Sequence, residues 1–313
     1  MRETREAEKR VLVLDAGDLL FKKFSKPVQE DELKMVAERA HLIIESFNLM
    51  GYDALGVGDD DLTLGKDFLL EIAKKANFPL LSANLFDESS GKPLFQPYLL
   101  KEIDGLRIGI FGLLSPDLFL GEGDLRKKGL ILKSPVETAQ NMIKELQPKT
   151  DLVILLSHLG YPKDLELANT LSGIHLIIGS HTGINLPYPR VAYNRTIVLQ
   201  TAPKGMYAGR IDLTFHNREP FFYNTAAKQT MEQGLRSLHY RLMEKGATEA
   251  EKAQWQKAKE EVERNLRQLQ GKNEFTNAIF LLGESTKDDP RIRKMVDLYL
   301  SKFPEPKKAQ SAR

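Results

Sequence analysis

The chain has 313 residues and carries 45 Lys+Arg against 43 Asp+Glu, a formal net charge of +2. It contains no Cys, which excludes disulfide scaffolds, thiolate zinc sites, iron–sulfur clusters and cysteine nucleophiles. The near-even charge argues against a nucleic-acid binder, and the apolar runs fall far short of the ~20 residues needed to cross a bilayer.

Short apolar runs alternate with helical patterns over the first two-thirds of the chain. After a charged start, residues 11–14 read as a buried strand that ends in the turn Asp15-Ala16-Gly17-Asp18. A helix is expected from about Glu30, with Leu33, Val36, Ala40, Ile43, Ile44 and Phe47 on one face and Gly51 as its stop. Residues 53–57 read as a strand, 68–76 as a helix and 78–83 as a strand. Residues 94–103 and 106–114 flank Asp104-Gly105, a strong hairpin signal. Pro135 opens a helix that runs to about Leu146. Residues 152–156 and 174–178 are near-continuous apolar runs, as expected of strands buried on both faces, with a helix over 163–171 between them. Residues 196–199 and 210–215 read as antiparallel strands. The alternation implies an α/β fold with at least one mixed sheet.

The texture changes near residue 226. Met231, Leu235, Leu238 and Leu242 form one helical stripe, and Trp255, Ala258, Val262, Leu266 and Leu269 form a second. Gly246 separates them, and Thr248 with Glu251 reads as a capping box. This is an inserted helical hairpin, followed by a strand over 275–282 and a helix over 290–303. The expected division is a core over 1–225, the hairpin over 226–271, a strand and helix over 272–303 packing on the core, and a disordered tail over 304–313.

Chemistry in open α/β sheets collects at the carboxyl ends of strands. Four such ends carry metal-competent side chains: Asp18, the run Asp59-Asp60-Asp61, His158 and His181. A lone Asp after a strand ordinarily forms a turn or caps a helix, and an Asp run can be a solvated loop. Two histidines that each follow an apolar strand and precede a Gly-containing turn favour a site for a divalent transition metal, Zn, Mn or Fe. His41, His175, His216 and His239 read as structural or exposed.

The segments VLVLDAGD, LMGYDALGVGDDDLTLG, FPLLSANLFD, LVILLSHLG and GIHLIIGSHTG together resemble the calcineurin-like metallophosphoesterases, most closely the 5′-nucleotidase/UshA-like branch. The likeness covers roughly residues 11–215. It implies an αββα sandwich with mixed sheets and a metal-dependent hydrolase of phosphate esters, in which a metal-activated hydroxide attacks phosphorus. It also implies one or two divalent ions, a small phosphorylated substrate of nucleotide type and a periplasmic location. Residue by residue, Asp18 matches the bridging Asp of the Gly-Asp motif. Asp59 takes the Asn ligand position of Gly-Asn-His-Glu, and Asp60 takes its catalytic His position. His158 matches the His of Ser-His-Leu-Gly, and His181 the first His of Gly-His-x-His. The metal set is therefore Asp18, Asp59, His158 and His181, with Asp60 and His158 in the catalytic roles. Gly183 stands where the family has its second His, and the opening Asp-x-His motif has no counterpart before Val11. The chain thus reads as N-terminally truncated with degenerate metal motifs, the missing strand and an export signal being expected upstream of Met1 if the site is binuclear. The alternative is a catalytically eroded relative that serves as a binding or assembly module, with the hairpin as its partner surface. Asn194-Arg195-Thr196 fits a glycosylation sequon by pattern alone.

Overall fold

The computed structural model describes residues 2–304 apart from Glu122, Asn194, Glu284 and Ser285. The sequon at Asn194, and the tail beyond Pro304, lie outside the described residues. After a short helix α1 (Arg2–Ala7), the first sheet joins β1 (Leu14–Asp15), β2 (Ala54–Gly56) and β3 (Leu80–Leu81), all parallel and in that order. Helices α2 (Leu33–Met50) and α3 (Gly65–Ala73) connect them. Val36, Ala40, Ile44, Leu69 and Ile72 bury the apolar stripe on the sheet's outer face. Gly51, with φ +73°, ends α2 through N–H bonds to Phe47 and Asn48 carbonyls. A small antiparallel pair follows, β4 (Leu85–Asp87) with a later strand.

The second sheet is built next, from β5 (Tyr98–Ile103) and β6 (Leu106–Leu114), joined antiparallel across Asp104-Gly105. The partner of β4 is β7 (Leu130–Leu132). Helix α4 (Pro135–Leu146) is capped by Ser134, which accepts from the Glu137 N–H. The remaining elements of this layer are β8 (Leu152–His158), α5 (Tyr161–Thr170), β9 (Leu176–Gly179), β10 (Arg190–Val191) and β11 (Ile197–Leu199). The strand order is β10-β11-β9-β8-β6-β5, a mixed sheet. Strand alternation explains the continuous apolar runs: Leu152, Ile154 and Leu156 face the first sheet, and Val153 and Leu155 face α4 and α5. The result is helices, sheet, sheet, helices, the expected αββα arrangement with mixed sheets.

The two segments read as antiparallel strands lie in different sheets. Residues 197–199 form β11, antiparallel to β10 on one side and parallel to β9 on the other. The following strand, β12 (Tyr207–Thr214), belongs to a third sheet with β13 (Phe222–Asn224) and β14 (Asn273–Leu281), in the order β12-β14-β13. β13 and β14 are parallel, which demands a crossover. Helices α6 (Thr225–Leu242) and α7 (Glu249–Leu269) supply it, packed on each other, with the Thr248–Glu251 capping box formed. Leu269 is their one buried residue among those described. Phe222 and Phe275 reach into the core between the large sheets. Helix α8 (Pro290–Lys302) lies on α2, where Tyr299 Oη donates to the Met35 carbonyl at 3.2 Å. No described helix is long and apolar enough to cross a membrane.

The first and second sheets come close together at Gly112 on β6. A Cβ there would lie 2.1 Å from the Leu81 carbonyl oxygen, a backbone atom that cannot retract by rotating a side chain. Gly112→Ala is expected to cost about 1–3 kcal/mol by overpacking. Urea unfolding checks this, and an unchanged midpoint would contradict the sheet spacing.

Candidate metal centre

The site lies at the carboxyl ends of β1, β2, β8 and β9, two from each sheet. The loops after β1 and β2 nest together because both contain glycine. Gly17 has φ +98°, and a Cβ on it would lie 2.4 Å from the Gly58 nitrogen; a Cβ on Gly58 would lie 2.3 Å from Asp18 Oδ1. No side chain fits between the loops. Asp61 fastens them. Its Oδ2 accepts from the Asp18 N–H at 3.0 Å and the Gly58 N–H at 2.9 Å, and its Oδ1 from Leu19 and Leu20 at 2.9 and 3.0 Å. Burial and the neighbouring Asp18 charge push the Asp61 carboxyl up, and the N–H donors pull against that.

This nesting brings Asp18, Asp59, His158 and His181 together, with one donor atom from each within 4.8 Å of all the others. His158 Nε2 is 3.1 Å from Asp18 Oδ2 and 3.2 Å from Asp59 Oδ1, and His181 Nδ1 is 3.5 Å from the same Asp59 oxygen. Asp59 and His158 are buried, whereas Asp18 and His181 are partly exposed and line the open side. Asp18 and His181 both hold left-handed backbone, φ +62° and +71°. Asp and His accept that region better than most residues.

Three of the four donor groups, Asp18, Asp59 and His158, have their other polar atom occupied. Asp18 Oδ1 accepts from the Asp60 N–H at 2.8 Å. Asp59 Oδ2 accepts from Arg126 Nη1 at 2.5 Å. His158 Nδ1 is 2.8 Å from the Ala16 carbonyl and 2.9 Å from Ser180 Oγ, so Nδ1–H donates outward and Nε2 turns to the carboxylates. Burial alone would push the His158 pKa down, but hydrogen bonds to Asp18 and Asp59 carry it well above the usual value. Burial likewise pushes Asp59 up, and the two histidines and Arg126 more than offset it, leaving the carboxyl well below the usual range. Two carboxylate oxygens and two imidazole nitrogens form a donor set that fits a divalent Zn, Mn or Fe ion.

Asp60 stands apart from this cluster. Its Oδ1 accepts from Phe24 N–H at 2.8 Å and Arg126 Nη1 at 2.9 Å. Burial, then the Asp18 charge, pushes its carboxyl up. His175 is structural: its Nδ1 accepts from the Val153 N–H at 2.7 Å, and burial pushes it down to about 4. His41, His216 and His239 lie outside the cluster. Phe222 packs edge-on against Phe215 at 5.0 Å, a core contact.

Arg126 and Asp124 were not legible as site residues. Asp124 caps a turn by accepting from the Arg126 N–H at 3.0 Å, and the Arg126 side chain bends back to it at 2.7 Å. In sequence, Gly123-Asp124-Leu125-Arg126-Lys127-Lys128 reads as a solvated basic loop, yet the Arg126 side chain is 3% exposed.

No model of a known protein family matches the chain. It is 29% identical over 257 residues to the trifunctional nucleotide phosphoesterase YfkN of Bacillus subtilis, covering 70% of this chain and 17% of that one. It is 29% identical over 239 residues to a 5′-nucleotidase of Vibrio cholerae and 28% to UshA of Escherichia coli, each match covering 67% of this chain and 42% of the relative. The chain thus spans less than half the length of these curated relatives. Among solved structures, a 5′-nucleotidase precursor from Thermus thermophilus superposes with a TM-score of 0.66 at 22% identity, over 96% of this chain and 51% of that one. The calcineurin-like phosphoesterase YfkN of Bacillus subtilis gives 0.64 at 20% identity, over 96% and 86%. The fold is that of the calcineurin-like phosphoesterases. By sequence the chain is similar to proteins of their 5′-nucleotidase/UshA-like branch.

Two outcomes follow from the packing around the centre. Removing the Asp61 carboxylate orphans four backbone N–H groups, so Asp61→Ala is expected to cost about 3 kcal/mol or more in chemical denaturation. Asp164, fully buried behind His158, accepts from Ser157 Oγ at 2.5 Å, and its Oδ2 has no partner. Burial pushes its carboxyl from 3.8 up to about 7. The folded state therefore holds this proton more tightly than the unfolded chain. The stability it contributes is complete below about pH 4 and is lost progressively as pH rises to about 7. Asp164→Asn keeps an acceptor for Ser157 and removes the titration. Relative to the parent, the variant is expected to gain stability between pH 4 and 7.5, on the order of 4 kcal/mol at most, at ~1.4 kcal/mol per pH decade. A parent–variant difference that is flat across that range would contradict it.

Proposed function

We propose that the chain is a metal-dependent hydrolase of phosphate esters, of the 5′-nucleotidase/UshA-like type. The observation that carries this reading is the convergence of Asp18, Asp59, His158 and His181 from four strand ends within 4.8 Å. These four side chains would hold one divalent ion, Zn, Mn or Fe. When bound, such an ion polarises a phosphoryl oxygen and lowers the pKa of its water. The remaining chemistry belongs to the chain. Ala16 and Ser180 hold the His158 ring so that Nε2 faces inward. Asp61 keeps the two carboxylate loops in register. Asp60 takes the place of the motif's histidine and is the group proposed to carry a proton to the leaving oxygen, a step worth roughly 10²–10⁴ in rate.

The names of the relatives support a small phosphorylated substrate of nucleotide type, and the UshA likeness supports a periplasmic setting. Residues 1–225 are proposed as the phosphoesterase-like core. Residues 226–271 form the inserted hairpin, and residues 272–303 pack back on the core.

A second reading is favoured by one observation. Asp60 Oδ1 is committed to Arg126 and the Phe24 N–H, and Gly183 supplies no imidazole. On that reading the chain is a catalytically eroded relative that binds metal or a partner without turnover, with the helical hairpin as its partner surface.

Metal analysis paired with hydrolysis of an aryl phosphate separates the two. The hydrolase reading expects one bound transition metal per chain and turnover, both lost in His158→Ala, with Asp60→Asn slowed roughly 10²-fold while its metal is retained. Bound metal without turnover favours the eroded reading. Fully metallated buffer that leaves the parent without a transition metal overturns the metal centre itself.

A further inference from the structure

Arg126 is the one guanidinium in direct contact with the candidate centre among the described residues, and every one of its nitrogens is engaged. Nη1 donates to Asp59 Oδ2 at 2.5 Å and to Asp60 Oδ1 at 2.9 Å. Nε donates to Asp124 Oδ1 at 3.1 Å, and Nη2 to Asp124 Oδ2 at 2.7 Å and the Leu118 carbonyl at 3.2 Å. The rings of Phe24 and Phe119 flank it, with centroids 4.4 and 5.3 Å from its central carbon. Asp124 thus anchors the guanidinium from the far side, and the two rings prevent it from sliding away.

The consequence falls on Asp59. A carboxylate can bind a cation through one oxygen or through both. Here Oδ2 faces Arg126 and Oδ1 faces the two histidines. Two-oxygen binding would swing Oδ2 toward the ion and weaken its bond to a guanidinium that is 3% exposed, and loosening a buried charge from its partner is costly. Asp18 is limited in the same way by the Asp60 N–H on its Oδ1.

We propose that Arg126 is a positioning residue that restricts Asp59 to a single donor oxygen, and so keeps the coordination number of the centre low and its preference toward Zn over Mn. This rests on the reading of Asp18, Asp59, His158 and His181 as a metal site. Four single donors, two of them imidazole nitrogens, suit Zn. A further carboxylate oxygen moves the set toward the oxygen-rich, higher coordination that Mn accepts. The role is distinct from charge neutralisation, because a point charge would balance Asp59 without selecting which of its oxygens is free.

The test uses the full chain loaded with Co²⁺ in place of the native ion, together with Zn²⁺/Mn²⁺ competition. Two variants are compared with the parent. Arg126→Lys keeps the charge and loses the rigid fork. Arg126→Met combined with Asp124→Asn removes one positive and one negative charge together, which protects folding; circular dichroism verifies the fold. In both variants the visible Co²⁺ absorption is expected to weaken, as an added oxygen raises the coordination number, and the Zn-over-Mn preference is expected to fall at least tenfold. Variants that bind an ion with the parent's spectrum and the parent's preference overturn the role of Arg126 and leave the metal reading standing. A parent that takes up no Co²⁺, Zn²⁺ or Mn²⁺ removes the metal reading, and this inference with it.

Discussion

Four backbone N–H groups converge on one buried carboxylate, that of Asp61, and the arrangement of the centre depends on that convergence. The loops that follow β1 and β2 approach too closely for any side chain at positions 17 and 58. Such an approach leaves their amide groups facing inward, where each needs an acceptor. Asp61 supplies it, and in doing so fixes the relative position of Asp18 and Asp59. The two histidines come from the other sheet, so the site is also a joint between layers. Its precision comes from the stiffness of four parallel strand ends and the interior packed between them.

The electrostatics follow from that geometry. Asp18, Asp59, Asp60 and Asp61 crowd one end of the sandwich, and Asp124 joins them from the loop after β6. Such a cluster is tolerable only with cations among it. Arg126 meets three of the five carboxylates directly. His158 meets two, and His181 lies beside Asp59. A divalent ion bound by the four converging donors would complete the same compensation. The high proton affinity of His158 comes from its hydrogen bonds to Asp18 and Asp59, and the low one of Asp59 from the two histidines and Arg126, each working against burial.

Much of the fold was legible from the sequence because it rests on period and punctuation. The stripe from Leu33 to Phe47, the Asp104-Gly105 turn, Pro135 after Ser134 and the Thr248–Glu251 pair each act locally, and each stands where the residues put it. The partners of β11, antiparallel on one side and parallel on the other, were not legible because strand partners are chosen by the whole sheet, and three residues carry no record of them. β7 and β13 are likewise too short to announce themselves. The four converging side chains were legible because each follows an apolar strand at its carboxyl end. Arg126 was not, since a basic loop folded inward by two aromatic rings and an acidic cluster has the same local sequence as a solvated one. The task of Asp61 was hidden for a related reason: most of its partners are backbone amides about forty residues away, and side-chain patterns do not report them.

The proposed function depends on these four side chains forming one metal centre. The direct measurement is the anomalous scattering of a crystal of the zinc-loaded protein, collected on both sides of the zinc absorption edge. A single strong peak is expected within bonding distance of Asp18, Asp59 Oδ1, His158 Nε2 and His181, with Arg126 still on Asp59 Oδ2. A map without a peak there, or with the ion held elsewhere on the chain, would contradict it.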